Sequence, residues 1–210
     1  MSWNRFLSGL LLALGVLAGS ARAESKNEVG LLLGGTLIPG QSLGSGVPGP
    51  GGRLSFSPGL TLQATYARRI AGNRVATVHF EVPFVATPSN DISSANPNPT
   101  RLVASLFITP GLRVKLFPGA GISPFFAVGG GYARFDASKR LVTGAPNPSP
   151  TATNTGAFQV GGGVDITFLP FLGLRGEMRD FYSGLPQYNV SLANDKQHNV
   201  VVSGGIVLHF

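Results

Sequence analysis

Seven charged residues stand at alternate positions in segments whose other residues are mostly apolar, small or uncharged. They are Glu81, Arg113, Lys115, Asp165, Arg175, Glu177 and Arg179. Because alternate residues of an extended chain share one face, a sheet can gather this set on one side. Carboxylates and cations together can form a charged constriction that selects ions, or a network of ion pairs that fills an interior. The width of the enclosed space decides between these two roles.

Catalysis and metal binding have little support in the sequence. The histidines are His79, His198 and His209, and the chain has no Cys. The residue two positions after His198 is Val200, so the His-x-Ser pattern of the lipid A deacylases is missing. A histidine without a neighbouring nucleophile is more often structural, and the spacing of the three does not predict a metal site. We therefore expect no catalytic residue, no cofactor and no metal.

The first residues have the layout of a secretory signal peptide. Arg5 supplies a positive charge, residues 6–18 form a short apolar run, and residues 21–23 read Ala-Arg-Ala, which fits a small-x-small cleavage site. A transmembrane anchor is the alternative interpretation, but the run is too short to span a bilayer comfortably. We predict a signal peptide over residues 1–23 and one mature domain over residues 24–210.

Eight segments after residue 24 alternate between apolar residues and polar or small ones, and none shows a sustained helical period. The second segment is predicted to run unbroken over residues 54–66, with its leucines on one face. Pro58, Pro83 and Pro110 fall inside predicted strands. Because proline cannot donate a ladder hydrogen bond and a closed barrel has no edge strand to host it, we expect β-bulges there.

The connections between these segments alternate in length. The long ones cover residues 39–53, 87–100, 136–154 and 183–197. The short ones cover residues 69–74, 118–122 and 169–171. An up-and-down barrel collects all its long loops at one end, as outer-membrane barrels do. The predicted fold is therefore all-β, an eight-stranded antiparallel up-and-down transmembrane β-barrel.

Two features favour a polar face that points inward. Eight strands enclose a narrow space, and glycines recur on the polar face, where room is scarce. Aromatic residues gather near strand ends, where interfacial girdles are expected. This aromatic set is Tyr66, Phe84, Phe117, Phe135, Phe168, Phe171, Phe181, Tyr182 and Phe210. The alternative is a soluble lipocalin-like carrier with its apolar face inside.

The last residues, with Ile206, Leu208 and Phe210 on one face, resemble the C-terminal strand of bacterial outer-membrane proteins. Residues 124–132 and 174–181 resemble strands of the small OmpA-like outer-membrane barrels. The resemblance implies export to the outer membrane, contact with its lipid and lipopolysaccharide, and a C-terminal signal read by the barrel-assembly machinery. Because the sequence ends at Phe210, we expect no peptidoglycan-binding domain like the one that follows the OmpA barrel.

We expect a non-enzymatic outer-membrane barrel with a structural or surface-interaction role, in which the long loops meet an extracellular ligand. The alternatives are a narrow pore for ions or small solutes and a barrel-embedded lipid-modifying enzyme. Nucleic acid is not an expected partner, because the 16 basic residues are spread along an exported chain. The seven charged residues are assigned to a structural network in the lumen, since eight strands leave little open space.

Overall fold

The computed structural model of the chain describes residues 26–47 and 52–210, and the predicted signal peptide lies outside them. Within these ranges the regular structure is strand, and no helix is long and apolar enough to cross a membrane. The strands are β1 (Asn27–Leu37), β2 (Gln41–Ser42), β3 (Arg53–Phe56), β4 (Gly59–Gly72), β5 (Ala76–Ser93), β6 (Leu102–Ile108), β7 (Gly111–Leu116), β8 (Ile122–Ala137), β9 (Ala152–Leu169), β10 (Leu172–Gly184) and β11 (Lys196–His209).

Antiparallel pairing closes these strands into a ring. The order around the wall is β1, β4, β5, β6 with β7, β8, β9, β10 and β11, and β11 pairs back onto β1. Since β6 and β7 together form one wall strand, the barrel has eight strands. The predicted fold class is confirmed. Several wall strands continue past the predicted loop boundaries, so β5 runs to Ser93 and β8 to Ala137.

Prolines interrupt hydrogen bonding in this wall without changing its register. On one side of the interruption Phe84 pairs with Ile108, and on the other Glu81 pairs with Gly111. The same number of residues separates the paired positions on both strands, so the bulges predicted at Pro83 and Pro110 are wrong. A missing N–H removes a ladder bond, but it does not force an extra residue into the strand.

The predicted second strand is also wrong in its first part. Ser57 and Pro58 separate β3 from β4, and only β4 belongs to the wall. β3 instead pairs with β2 and with the end of β5, beyond the wall. Leu54 is therefore fully buried at the end of the barrel that carries the long connections. Proline fixes its own φ and restricts the residue before it, which explains the break.

The outer face of the ring is an apolar band. Phe126 is 67% exposed and Leu60 is 65% exposed, and both point away from the lumen. Other large apolar side chains share this face: Leu31, Leu33, Leu62, Phe80, Leu112, Val128, Phe158, Val160, Leu174, Met178, Val202 and Ile206. A water-soluble barrel buries such residues, whereas a transmembrane barrel presents them to lipid.

Inward-facing glycines mark places where neighbouring strands approach closely. At the seam that closes the ring, Gly205 of β11 pairs with Leu32 of β1. A Cβ on Gly205 would lie 2.1 Å from the Leu31 carbonyl oxygen and 2.7 Å from the Leu32 Cα. These are backbone atoms of a wall strand, so they cannot move aside as a side chain can. Glycine is therefore needed at this position so that the backbones of β11 and β1 can approach each other.

We expect Gly205→Ala to destabilise the barrel by about 1–3 kcal/mol, because the added methyl group collides with the backbone of β1. The measurement is the urea midpoint of the folded band on gels run with and without boiling. Gly176→Ala is the matched control. Gly176 lies on β10, a Cβ there meets no atom within 4 Å, and its midpoint should stay close to that of the wild type. Equal midpoints for the two variants would contradict this account of the seam.

Candidate functional site

The lumen is the place where polar and charged side chains meet. All seven charged residues predicted for this network point inward and are buried. Arg113 is 0% exposed and Arg179 is 1% exposed. A further carboxylate, Glu28 on β1, joins them, although sequence analysis had not included it. Glu28 precedes the inward-facing Gly30 and Gly34 by an even number of residues along β1, and this alternation could have predicted its inward position.

The lower part of the network centres on Glu28, near the short-turn end. This carboxylate accepts hydrogen bonds from Arg113, from Lys115 at 3.3 Å and from Arg175 at 3.2 Å. Arg175 also binds Asp165 through two nitrogens, at 2.6 and 2.8 Å. The Lys115 ammonium lies 2.8 Å from the same aspartate. Two acids and three cations therefore share contacts, and no member of the group depends on a single partner.

The middle of the lumen is organised by Arg179. Its guanidinium reaches Glu177 at 2.5 Å and Glu81 at 2.6 Å, and it also donates to the Gln159 amide oxygen at 2.9 Å. The Gln63 amide donates to Glu177 at 2.5 Å. The Arg113 Nε atom lies 3.7 Å from the Glu81 carboxylate and connects this group to the lower one. The two groups therefore form one continuous network.

The formal charges of this network balance. Its acids are Glu28, Glu81, Asp165 and Glu177, and its cations are Arg113, Lys115, Arg175 and Arg179. Phe125 adds an aromatic face, with the Arg175 guanidinium 4.8 Å from its ring centre. A buried charge without a partner would cost several kcal/mol, so balance is required in so narrow a space.

Above the network, toward the long connections, the interior becomes apolar. Phe107 stacks on Phe181 with ring centres 4.6 Å apart, and Phe135 meets Phe107 edge-on at 5.7 Å. The assignment of Phe135 and Phe181 to the interfacial girdles is therefore wrong, because both are fully buried. The odd-numbered positions of β10 face inward and carry Arg175, Glu177 and Arg179, so the alternation of the sequence already indicated that Phe181 lies inside.

Tyr188 closes the apolar layer from the loop between β10 and β11. Its ring contacts Phe56 of β3 at 5.5 Å between centres, and its hydroxyl donates to Gln197 at 2.5 Å. Burial raises the pKa of the Tyr188 hydroxyl, so the group remains a neutral donor at ordinary pH. Residues from two long connections thus pack directly onto the interior of the barrel.

A cavity of about 610 Å³ opens at the short-turn end of the lumen. Its lining includes His79, His209, Lys115 and Glu28. The last two belong to the charge network, so this cavity ends where the network begins. Both histidines face Glu28, with His209 Nδ1 at 3.6 Å and His79 Nδ1 at 3.9 Å from its carboxylate.

The third histidine lies on the outside of the barrel. His198 Nδ1 is 2.6 Å from the Asp180 carboxylate, and its ring packs on Tyr182 at 4.9 Å. In the described part of the chain no serine or threonine hydroxyl makes a hydrogen bond with His198. A histidine and an acid are thus present, but the nucleophile of a hydrolytic triad is not in place beside them.

The predicted C-terminal signal residues end the last wall strand. Ile206 is exposed on the lipid face, and Leu208 and Phe210 are partly buried on the same side. Phe210 exchanges two backbone hydrogen bonds with Asn27, both of 2.9 Å. The end of the chain is therefore joined to its first described strand, and these three residues border the closing seam.

A closed ring of eight strands with an apolar outside and a filled, partly charged inside is the architecture of the small outer-membrane β-barrels. No protein-family model matches the chain, and no curated protein matches it. Solved structures of this class do match, so the predicted resemblance of fold is confirmed.

Three of these structures share the architecture over nearly their whole length. The outer membrane protein OprG from Pseudomonas aeruginosa has a TM-score of 0.56 and 14% identity, covering 89% of this chain and 96% of that one. Neisserial surface protein A has a TM-score of 0.53 and 12% identity, covering 88% and 97%. The outer membrane protein AlkL has a TM-score of 0.51 and 14% identity, covering 89% and 90%. At these identities the likeness concerns the fold.

We expect Arg179→Met to destabilise the barrel by about 3–5 kcal/mol, because it leaves two buried carboxylates without their main partner. Glu177→Ala should destabilise it less, since Arg179 keeps Glu81. Thermal unfolding in detergent is the measurement. Arg134→Met is the control, because Arg134 pairs with Asp136 on the exposed surface and such pairs contribute about 0–1 kcal/mol. An unchanged midpoint for both Arg179→Met and Glu177→Ala would disprove the paired network.

Proposed function

We propose that the protein is a non-enzymatic, non-conducting barrel of the outer membrane, whose long loops form an extracellular interaction surface. The observation that carries the proposal is the filled lumen. A neutral ion-pair network and a layer of stacked aromatic rings occupy the interior one above the other. The long connections extend from the upper end of this filled interior.

The filled interior argues against the narrow pore. An ion that entered from the short-turn end would meet Lys115 and Glu28, which already satisfy each other and their neighbours. Further along the axis it would meet Phe107 and Phe181, which offer no ligand to replace its hydration shell. Passage would require breaking the network and separating the rings.

The outer-membrane location is supported by the surface of the ring. Its apolar band suits contact with lipid acyl chains, and exposed Tyr66 and Phe117 near the short-turn end and Tyr182 near the other suit the interfaces. Export through a signal peptide, contact with lipopolysaccharide and recognition of Phe210 by the barrel-assembly machinery belong to the same proposal. They are consistent with a barrel whose last strand completes the ring.

The long connections have the order that an interaction surface needs. Above the wall β3 pairs with β2 on one side and with the end of β5 on the other, and Leu43 bridges to Leu192 between two different connections. Apolar residues from the connections pack onto the interior core. Because the described residues of these loops are already held in place, they require little further ordering when a partner binds.

We expect the purified, refolded barrel to give no sustained conductance steps in planar lipid bilayers, because the lumen is blocked in two layers. The matched positive control is a variant that opens both layers, with Arg179→Ala, Phe107→Ala and Phe181→Ala combined, tested only if it still shows the folded band on unboiled gels. Steady, reproducible steps from the wild-type barrel would contradict the proposal and favour the pore.

A further inference from the structure

Two arginines face each other on the loops at the extracellular end. The Arg101 N–H donates to the Arg140 carbonyl at 2.9 Å, and the Val142 N–H donates to the Pro99 carbonyl at 3.0 Å. These bonds flank the antiparallel bridge between Thr100 and Leu141. Arg101 and Arg140 are therefore opposite each other in a short ladder, on the exposed face, while Thr100 and Leu141 are buried.

Backbone hydrogen bonds hold this pair in position from three sides. Ile92 at the end of β5 donates to the Arg101 carbonyl at 2.8 Å. Arg140 also bridges to Pro146 across a small turn of its own loop. The Arg140 guanidinium donates to the Gly144 carbonyl at 3.1 Å, which uses one of its five N–H groups. The two cations are thus presented by a fixed backbone.

Charge compensation is missing at this pair. In residues 26–47 and 52–210, no carboxylate forms an ion pair with Arg101, Lys139 or Arg140. The nearby Asp136 is bound by Arg134, at 2.9 Å. Like charges directly opposite each other in a ladder are destabilising. This arrangement contrasts with the lumen, where every cation has an acid beside it, and an external anion would relieve the repulsion.

The position of the pair is above the membrane surface. On β8 the outward-facing residues are apolar up to Tyr132 and charged from Arg134 onward, so the lipid boundary is near Tyr132. β8 continues five residues beyond Tyr132, to Ala137, which at about 3.3 Å per residue and a tilt of about 40° corresponds to roughly 13 Å along the membrane normal, and Arg140 lies in the connection that follows. A ligand there comes from outside the lipid headgroup layer.

The surroundings suit a carbohydrate better than a protein. None of the large exposed apolar residues belongs to residues 94–101 or 138–151, the two loops that carry the pair. A protein interface needs an apolar centre, which these loops lack. They offer serine, threonine and asparagine groups instead, such as Ser138 and Asn147. Guanidinium groups bind sulfate and phosphate oxygens in pairs of parallel hydrogen bonds.

We propose that Arg101 and Arg140, assisted by Lys139, bind the sulfate or phosphate groups of an extracellular anionic polysaccharide. This inference rests on the proposed surface-interaction function and names the partner class for it. The binding is electrostatic and exposed, so it weakens as the salt concentration rises.

The test is biosensor binding of dextran sulfate to the refolded barrel in lipid nanodiscs free of lipopolysaccharide, with neutral dextran alongside. We expect wild-type binding to dextran sulfate alone, and a loss of about tenfold or more in affinity when Arg101→Gln and Arg140→Gln are combined. The matched control combines Arg53→Gln and Lys196→Gln, which removes two exposed cations elsewhere at the same end and should change the affinity less than about twofold.

Equal loss in the two double variants would overturn the inference, because it would show a dependence on net charge alone. Absence of wild-type binding to dextran sulfate would overturn it as well. If binding to lipopolysaccharide-containing nanodiscs replaced binding to dextran sulfate, the partner would be a membrane lipid and the inference would be wrong. In each case a barrel without conductance that binds another surface ligand would leave the proposed function standing.

Discussion

The interior of an eight-stranded barrel is so narrow that every inward-facing charge must be neutralised by a neighbouring side chain. The charged residues that neutralise one another come from strands around the ring. Glu28 belongs to β1, Glu81 to β5, Arg113 to β7, Asp165 to β9 and Arg179 to β10. Ion pairs such as Arg179 with Glu81 and Arg113 with Glu28 therefore connect strands that are not neighbours in the wall, and the network fixes their relative positions from the inside. The backbone ladders alone fix only neighbours.

The lumen is filled by two kinds of contact, one above the other along the barrel axis, and both block it. Near the short turns the space is filled by ion pairs, and near the long connections it is filled by Phe107, Phe135 and Phe181. The upper layer continues into the loops through Leu54 and Tyr188. Loops that pack on an apolar core keep one arrangement, so a pair such as Arg101 and Arg140 can be held together despite its repulsion.

Alternation in the sequence was sufficient to predict the class of fold, the inward face and the seven charged residues that lie together. It failed where one residue changes the geometry of a strand. Ser57 and Pro58 separate β3 from the wall strand β4, so Leu54, which was predicted on the lipid face, lies in the core. Phe135 and Phe181 were wrongly assigned to the interfacial girdles because their positions near strand ends were given more weight than the alternation of inward and outward residues. The pairing of Glu28 with cations from three other segments depends on ring closure, which no local pattern contains.

The most direct test of the neutral network is a double-mutant cycle on Arg175 and Asp165, whose side chains share two hydrogen bonds. Unfolding free energies are measured by urea titration in detergent for Arg175→Met, Asp165→Asn and the double variant. We predict that the double variant is more stable than the sum of the single losses indicates, with a coupling of about 1–3 kcal/mol. Each single change removes the main partner of a buried charge and leaves the network with an unbalanced charge, whereas the double change restores the balance. Additive losses would contradict the claim that charge compensation holds the lumen together.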